Sequence, residues 1–264
     1  MSLWDRVRLS FRGPAPLLNI ASDSGTGPVI IFLHGIASSA ATFEKVVPRL
    51  TTNFRCVSID LLGFGESPIP ANAKYTIDEH IASIARTIGA LKLRAPFALV
   101  GHSLGSLLSA RYAATYPAKV SRLVLISPPI YLAQSEIGNL RERTQTGIYM
   151  KAYEFLRANK DFTIANANWL GKLLQISSVF EISERNWEPF MASLENCIES
   201  QTTISDIASV KAPIDIVYGA LDQFIAPGTL AIVERMRHVT MHRVEANDHL
   251  IRGRMAKEVV RVIG

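Results

Sequence analysis

The sequence predicts an α/β fold, a mostly parallel, doubly wound sheet with an inserted helical cap. Three observations carry that expectation. Short continuous apolar runs recur along the 264 residues, helical periodicities alternate with them, and one long interval, residues 129–205, holds no convincing strand. Continuous apolar strands pair in parallel with both faces covered, and the alternation with helices supplies the crossovers such a sheet needs.

The elements follow in chain order. "RVRLSF" and "LLNIAS" near the start read as a leading antiparallel pair. The buried strands "VIIFLHG" (29–35) and "FRCVSID" (54–60) flank a helical pattern over 40–50. A helix over 77–91 is signalled by Thr76 and Glu79 at capping-box spacing. The strand "FALVG" (97–101) leads into a helix over 104–115 that Pro117 closes, and "RLVLIS" (122–127) is the next strand. After the interval the sheet resumes with "IDIVYG" (214–219) and "VTMHRVE" (239–245), each followed by a helical pattern, over 228–236 and 254–262. The expected organisation is one core in two parts, 1–128 and 206–264, with the helical cap at 129–205 between them. The cap carries Tyr131, Tyr149, Tyr153, Phe155, Phe162, Trp169, Phe180, Trp187 and Phe190. So many rings suit a cover over a pocket, although for any single ring packing in the cap's own small core is the simpler reading.

Composition narrows the function classes. At 48% hydrophobic and 19% charged residues, the chain can bury ample apolar surface and carries no disorder signature. Its net charge of +5 comes from scattered basic residues. The densest group, Arg235, Arg237, His238, His242 and Arg243, lacks the basic stripe with interleaved aromatics that a nucleic-acid reader shows, so no nucleic-acid partner is expected. Cys56 and Cys197 stand far apart, in no metal or redox spacing, and read as buried, unreactive thiols. "MSLWDRVRLS" lacks the apolar stretch of a leader, and no segment reaches bilayer-crossing length. A soluble, cytoplasmic monomer or homodimer without a membrane partner is the expectation.

The chemistry concentrates at "FALVGHSLGS". Gly101-His102-Ser103-Leu104-Gly105 sits where a strand turns abruptly into a helix. Flanking glycines let strand and helix approach closely, and the strained turn presents the Ser103 hydroxyl above the carboxyl edge of the sheet. A serine hydroxyl is a weak nucleophile at neutral pH, so it needs a base, and the base needs an orienting carboxylate. Asp222 follows the strand "IDIVYG" and His249 follows "VTMHRVE", each in a strand-end loop. Asp248 is a competing carboxylate, but chain neighbours rarely aim at each other, which favours Asp222. The charge that develops on an attacked carbonyl calls for two backbone N–H groups. Leu104, directly after the serine, offers one, and Ile36, after "VIIFLHG", offers the other. His34 reads as a structural imidazole shaping that loop. Histidines and carboxylates show no ligand spacing, so neither metal nor cofactor is called for.

These motifs resemble those of the α/β-hydrolase fold family, and within it the capped esterase-like and lactonase-like serine hydrolases. Beyond "HG" and "GHSLGS", the stretch "DLLGFGES" (60–67) is similar to the family's D-x-x-G-x-G-x-S signature. The resemblance implies a structural role there, with Asp60 and Gly63 pinning a turn. It also implies a reaction class. The family's haloalkane dehalogenases and epoxide hydrolases place a carboxylate where this chain has Ser103, so both are disfavoured. Its C–C bond hydrolases commonly carry a tryptophan after the histidine, where Leu250 stands here. The expectation is a serine hydrolase of small, moderately apolar carboxylic esters or lactones, working through an acyl-enzyme with Phe64, Phe224, Leu250, Trp169 and Trp187 around the substrate. The alternatives are a C–C bond hydrolase, a cofactor-free haloperoxidase or perhydrolase with the same triad, and a non-catalytic hydrolase-like receptor or scaffold.

Overall fold

The computed structural model describes residues 11, 13–131, 154–166, 181–225 and 227–264. Among the described residues seven strands form one sheet in the order β1-β3-β2-β4-β5-β6-β7. They are β1 (Ile20–Ser24), β2 (Val29–Leu33), β3 (Arg55–Ile59), β4 (Phe97–His102), β5 (Val120–Ile126), β6 (Ile214–Gly219) and β7 (Val239–Val244). Only β1 runs antiparallel, against β3, and every other pairing is parallel. Six strand ends therefore open on the same edge, and that shared edge lets residues distant in sequence meet.

The strands are buried because both faces of the sheet are covered. Ile31 and Leu33 of β2 face one apolar cluster, with Leu99 of β4 and Leu107 and Leu108 from the following helix. Ile30 and Phe32, one residue out of phase, face the other, with Met255, Val259 and Val262. The period of two thus divides each strand between two cores. Helices α1 (Ile77–Ala90) and α2 (Leu104–Thr115) cover the first face, and the last helix, Arg254–Ile263, covers the second. Between β5 and β6 the described residues hold short helices, α3 (Lys160–Ala165), α4 (Trp187–Ser193) and α5 (Thr203–Ser209), with a π-helical turn over Leu194–Glu199. α6 (Pro227–Glu234) and α7 (Arg254–Ile263) complete the chain. No helix among the described residues is long and apolar enough to cross a membrane.

Local signals explain most boundaries. Thr76 Oγ1 accepts the Glu79 N–H at 3.3 Å while Glu79 Oε2 accepts the Thr76 N–H at 3.2 Å, the reciprocal box that starts α1. α2 ends at Thr115, two residues ahead of Pro117. The helix expected over 40–50 is instead two 3₁₀ turns, Ala40–Phe43 and Val47–Arg49. Pro48 is the reason: it has no N–H to donate and cannot sit inside a continuous helix. At the start of the chain, the strand within "LLNIAS" pairs with β3. The "RVRLSF" half of the expected leading pair falls on residues 6–11, and all but Phe11 lie outside the described residues. Cys56 and Cys197 are buried free thiols. Burial pushes the Cys56 pKa up to about 11, and the Cys197 thiol, raised chiefly by burial, donates to the Tyr75 carbonyl at 3.2 Å.

Candidate active site

The elbow after β4 is strained. Ser103 has φ +53° and ψ −121°, a backbone conformation that side-chain-bearing residues seldom adopt. Close packing holds it there. A Cβ on Gly101 would stand 2.2 Å from the Gly105 carbonyl oxygen, and one on Gly105 would stand 2.1 Å from the Leu33 oxygen. Only glycine lets β4, α2 and the end of β2 come this near. The Ser103 N–H donates to Ile126 O at 3.0 Å, tying the elbow to β5, and the residue retains 8% exposure.

The loop after β2 crosses directly beside the serine. A Cβ on Gly35 would meet Ser103 Cβ at 3.0 Å. Among the described residues, neither the Ile36 nor the Leu104 N–H is engaged by a hydrogen-bond acceptor. For Leu104 this follows from its place at the first position of α2, whose opening N–H groups have no intrahelical acceptor. His34 holds the loop from beneath. Its Nδ1 donates to Gly35 O at 2.7 Å and its Nε2 accepts the Leu61 N–H at 2.9 Å. Asp60 Oδ1 lies 3.7 Å from that Nε2, yet burial takes the ring's pKa down to about 4, so at neutral pH the two do not form an ion pair. Asp60 instead accepts from the Asn19 amide and from the Ala40 and Glu66 N–H groups, which pins the "DLLGFGES" turn.

Asp222 and His249 come together from the ends of β6 and β7. His249 Nδ1 lies 3.0 and 2.9 Å from Asp222 Oδ1 and Oδ2. A close approach builds this pairing: a Cβ on Gly219 would stand 2.3 Å from Asn247 O and 2.5 Å from Asp248 O. Burial opposes the Asp222 charge, but His249 and the Phe224 N–H, donating to Oδ1 at 2.9 Å, outweigh it and hold the carboxyl below its usual range. Ser127, at the end of β5 with φ +47°, also neighbours this carboxylate, although its hydroxyl makes no well-aligned hydrogen bond among the described residues. An ionised Asp222 accepts from Nδ1–H, which leaves His249 Nε2 with a free lone pair. Asp248 points elsewhere, accepting from the Leu250 N–H at 3.1 Å and pairing with Arg252.

Two rings flank the His249 imidazole. Phe224 meets it edge-on with centroids 4.8 Å apart, and His102 packs at 5.0 Å. His102 Nε2 also lies 2.9 Å from His249 O. Sequence reasoning passed over both His102 and Ser127. The available signal was position, since each ends or directly follows a parallel strand on the edge that carries the site.

Of the residues expected around a substrate, Phe224 touches the histidine directly. Phe64 and Trp187 are packed in the interior, Phe64 6.4 Å from the His34 ring and Trp187 6.2 Å from Phe190. Phe64 is 1% exposed, its ring edge-on to His34. Leu250, next to His249 in the chain, is buried, and Trp169 lies outside the described residues. A cavity of about 670 Å³, lined by Ile88, Phe97, Tyr112 and Tyr116 among others, opens at the amino-terminal ends of β4 and β5, opposite this edge. Among the described residues no group of three or more His, Cys, Asp or Glu side chains could hold a metal ion.

Comparison with known proteins agrees with this architecture. Residues 28–150 match the family described as alpha/beta hydrolase fold. The chain is 37% identical over 108 residues to the probable lysophospholipase BODYGUARD 2 of Arabidopsis thaliana, a match spanning 39% of this chain and 23% of that protein. The chain thus spans about a quarter of that relative's length. It is 28% identical over 224 residues to the 2-(acetamidomethylene)succinate hydrolase of Mesorhizobium japonicum, covering 81% of this chain and 78% of the relative. The crystal structure of an E-2-(acetamidomethylene)succinate hydrolase superposes with a TM-score of 0.71 at 24% identity, over 93% of both chains. With a seven-stranded, mostly parallel sheet among the described residues, a strained serine elbow and these matches, the chain has the α/β-hydrolase fold.

Proposed function

We propose that the protein is a serine hydrolase of small carboxylic esters or lactones, with Ser103 as nucleophile, His249 as base and Asp222 as its orienting carboxylate. The observation that carries the reading is the Asp222 contact to His249 Nδ1, made at the sheet edge where the strained elbow holds Ser103. Ser103 Oγ attacks the substrate carbonyl carbon as its proton passes to His249 Nε2. The resulting oxyanion is met by the Ile36 and Leu104 N–H groups. Collapse expels the alcohol, which takes the proton from His249, and a water molecule then hydrolyses the acyl-enzyme by the same steps.

Residues 129–205 act in this reading as a cap over the carboxyl edge. Contacts between that segment and the edge loops support it: Glu181 N–H donates to Ala37 O at 2.7 Å, Arg185 to Gly65 O at 3.0 Å, and Tyr131 Oη to Phe224 O at 3.0 Å. Relatives named as a probable lysophospholipase and a 2-(acetamidomethylene)succinate hydrolase favour acyl transfer to water.

The test is a panel of chromogenic esters of graded acyl length, lactones and an acetamido compound, assayed with the wild type and Ser103→Ala. Turnover that the variant loses supports the reading. Equal rates in both proteins would remove Ser103 from the chemistry, and no turnover by either would favour a binding protein.

A further inference from the structure

We propose that His102 is a positioning residue, locking the loop that carries His249 to the strand end that carries Ser103. The inference rests on the hydrolase reading and adds a fourth side chain to it.

The geometry is directional. A carbonyl oxygen only accepts, so the 2.9 Å contact to His249 O requires His102 Nε2 to carry a proton. The contact is fully buried, and so is His102 Nδ1, which has no hydrogen-bond partner among the described residues. An apolar side chain in that slot would avoid the cost of an unpaired nitrogen but would strand the His249 carbonyl. The imidazole therefore earns its place through the bond to residue 249.

Asp222 cannot do this alone. It sets the imidazole of His249 through Nδ1 and exerts no direct hold on the backbone of residue 249. The loop's other anchors act on its neighbours: Asn247 Nδ2 donates to Asp248 O and Leu250 O, and the Leu250 N–H donates to Asp248. His102 grips the carbonyl of 249 itself, and its ring packs against the ring it positions, centroids 5.0 Å apart and planes tilted by 51°. Because His102 and Ser103 are adjacent in the chain, this one bond sets the separation between the base's backbone and the nucleophile's. Burial, with repulsion from His249, takes the His102 pKa down to about 3. The ring thus stays a neutral donor when His249 gains a proton.

His102→Leu removes the donor at similar volume, while His102→Gln returns an N–H at comparable reach. In the Leu variant kcat falls about 10- to 100-fold with KM within about twofold of wild type, and the Gln variant recovers most of the loss. ¹⁵N-edited NMR of the His249 Nδ1–H proton gives a second readout that needs no turnover. The signal stays sharp in the wild type and the Gln variant and broadens by exchange in the Leu variant. His102→Met, more adaptable in shape, replaces the Leu variant should that fail to fold. The proposal is overturned if the donor-less variant keeps wild-type kcat, or if its Nδ1–H signal matches that of the wild type. Ser103→Ala, run alongside, separates the two readings: should it turn over as fast as wild type, the hydrolase reading fails, and the NMR comparison still decides the role of His102.

Discussion

Asp222 holds His249 through both carboxylate oxygens, 3.0 and 2.9 Å from Nδ1, although 27 residues separate the two in the chain. A carboxylate in this position selects the Nδ1–H tautomer, and in the proposed mechanism it would stabilise the imidazolium formed when His249 takes the serine proton. Asp222→Asn keeps the shape and loses the charge. Its kcat on a responsive ester falls on the order of 10³-fold or more, as does that of Ser103→Ala, with melting temperatures close to wild type. Initial-rate kinetics beside thermal melts check both, and an Asn variant within about tenfold of wild type would contradict the assignment.

Gly35 separates the needs of the site from those of the fold. Its backbone does not occupy the left-handed region, and a Cβ there would press on Ser103 Cβ at 3.0 Å and on His102 Nδ1 at 3.3 Å. Gly35→Ala shifts the serine by a few tenths of an ångström, so kcat drops about 10- to 100-fold while the protein still folds. Gly105→Ala is different in kind, because its Cβ would overlap the Leu33 carbonyl oxygen at 2.1 Å. That variant loses much of its stability, which urea unfolding of the two side by side would reveal.

Three buried histidines make the fold acid-sensitive. Burial is the main cause that lowers His34 from 6.5 to about 4, and His80 and His102 to about 3. Each folded-state pKa lies below its unfolded value, so between pH 6.5 and about 4 the unfolded chain binds more protons than the folded one. Stability is therefore fully present above pH 6.5 and declines as the pH falls, by up to about 1.4 kcal/mol per unit for each group. Asp222 adds to the loss further down, as the pH falls through its depressed pKa. The urea midpoint should drop steadily from pH 7 to pH 4. In His80→Gln the slope is shallower, and an unchanged slope would refute this origin.

Thr76 offers a control far from the chemistry. Its side chain and that of Glu79 satisfy each other's backbone N–H groups at the start of α1. Thr76→Ala costs about 1 kcal/mol of unfolding free energy and leaves kcat unchanged. A parallel loss of activity would mean that α1 bears on the site.

Much of this was legible in the chain itself. The apolar runs gave the parallel strands because a buried strand needs no polar alternation, and Thr76 and Pro117 marked helix ends through hydrogen bonds that they make or cannot make. Ser103, Asp222 and His249 could be named because each follows such a strand, and parallel strands deliver their ends to one edge. Pro48 stands inside the helical pattern over 40–50, and the expected helix proved to be two short turns. The place of Phe64 was not legible, because sequence carries hydrophobicity and not direction: the same ring suits a pocket wall or a buried prop.

The sequence by itself determined the strand order's raw material, the elbow and the identity of the acid, base and nucleophile candidates, because those depend on local periodicity and on residue chemistry. Only the tertiary structure decided which carboxylate faces the histidine, which rings flank it, and that His102 reaches across 147 residues to the backbone of His249. Such contacts depend on strand register and on ångström-scale approaches at Gly35, Gly105 and Gly219, quantities that no single stretch of chain encodes.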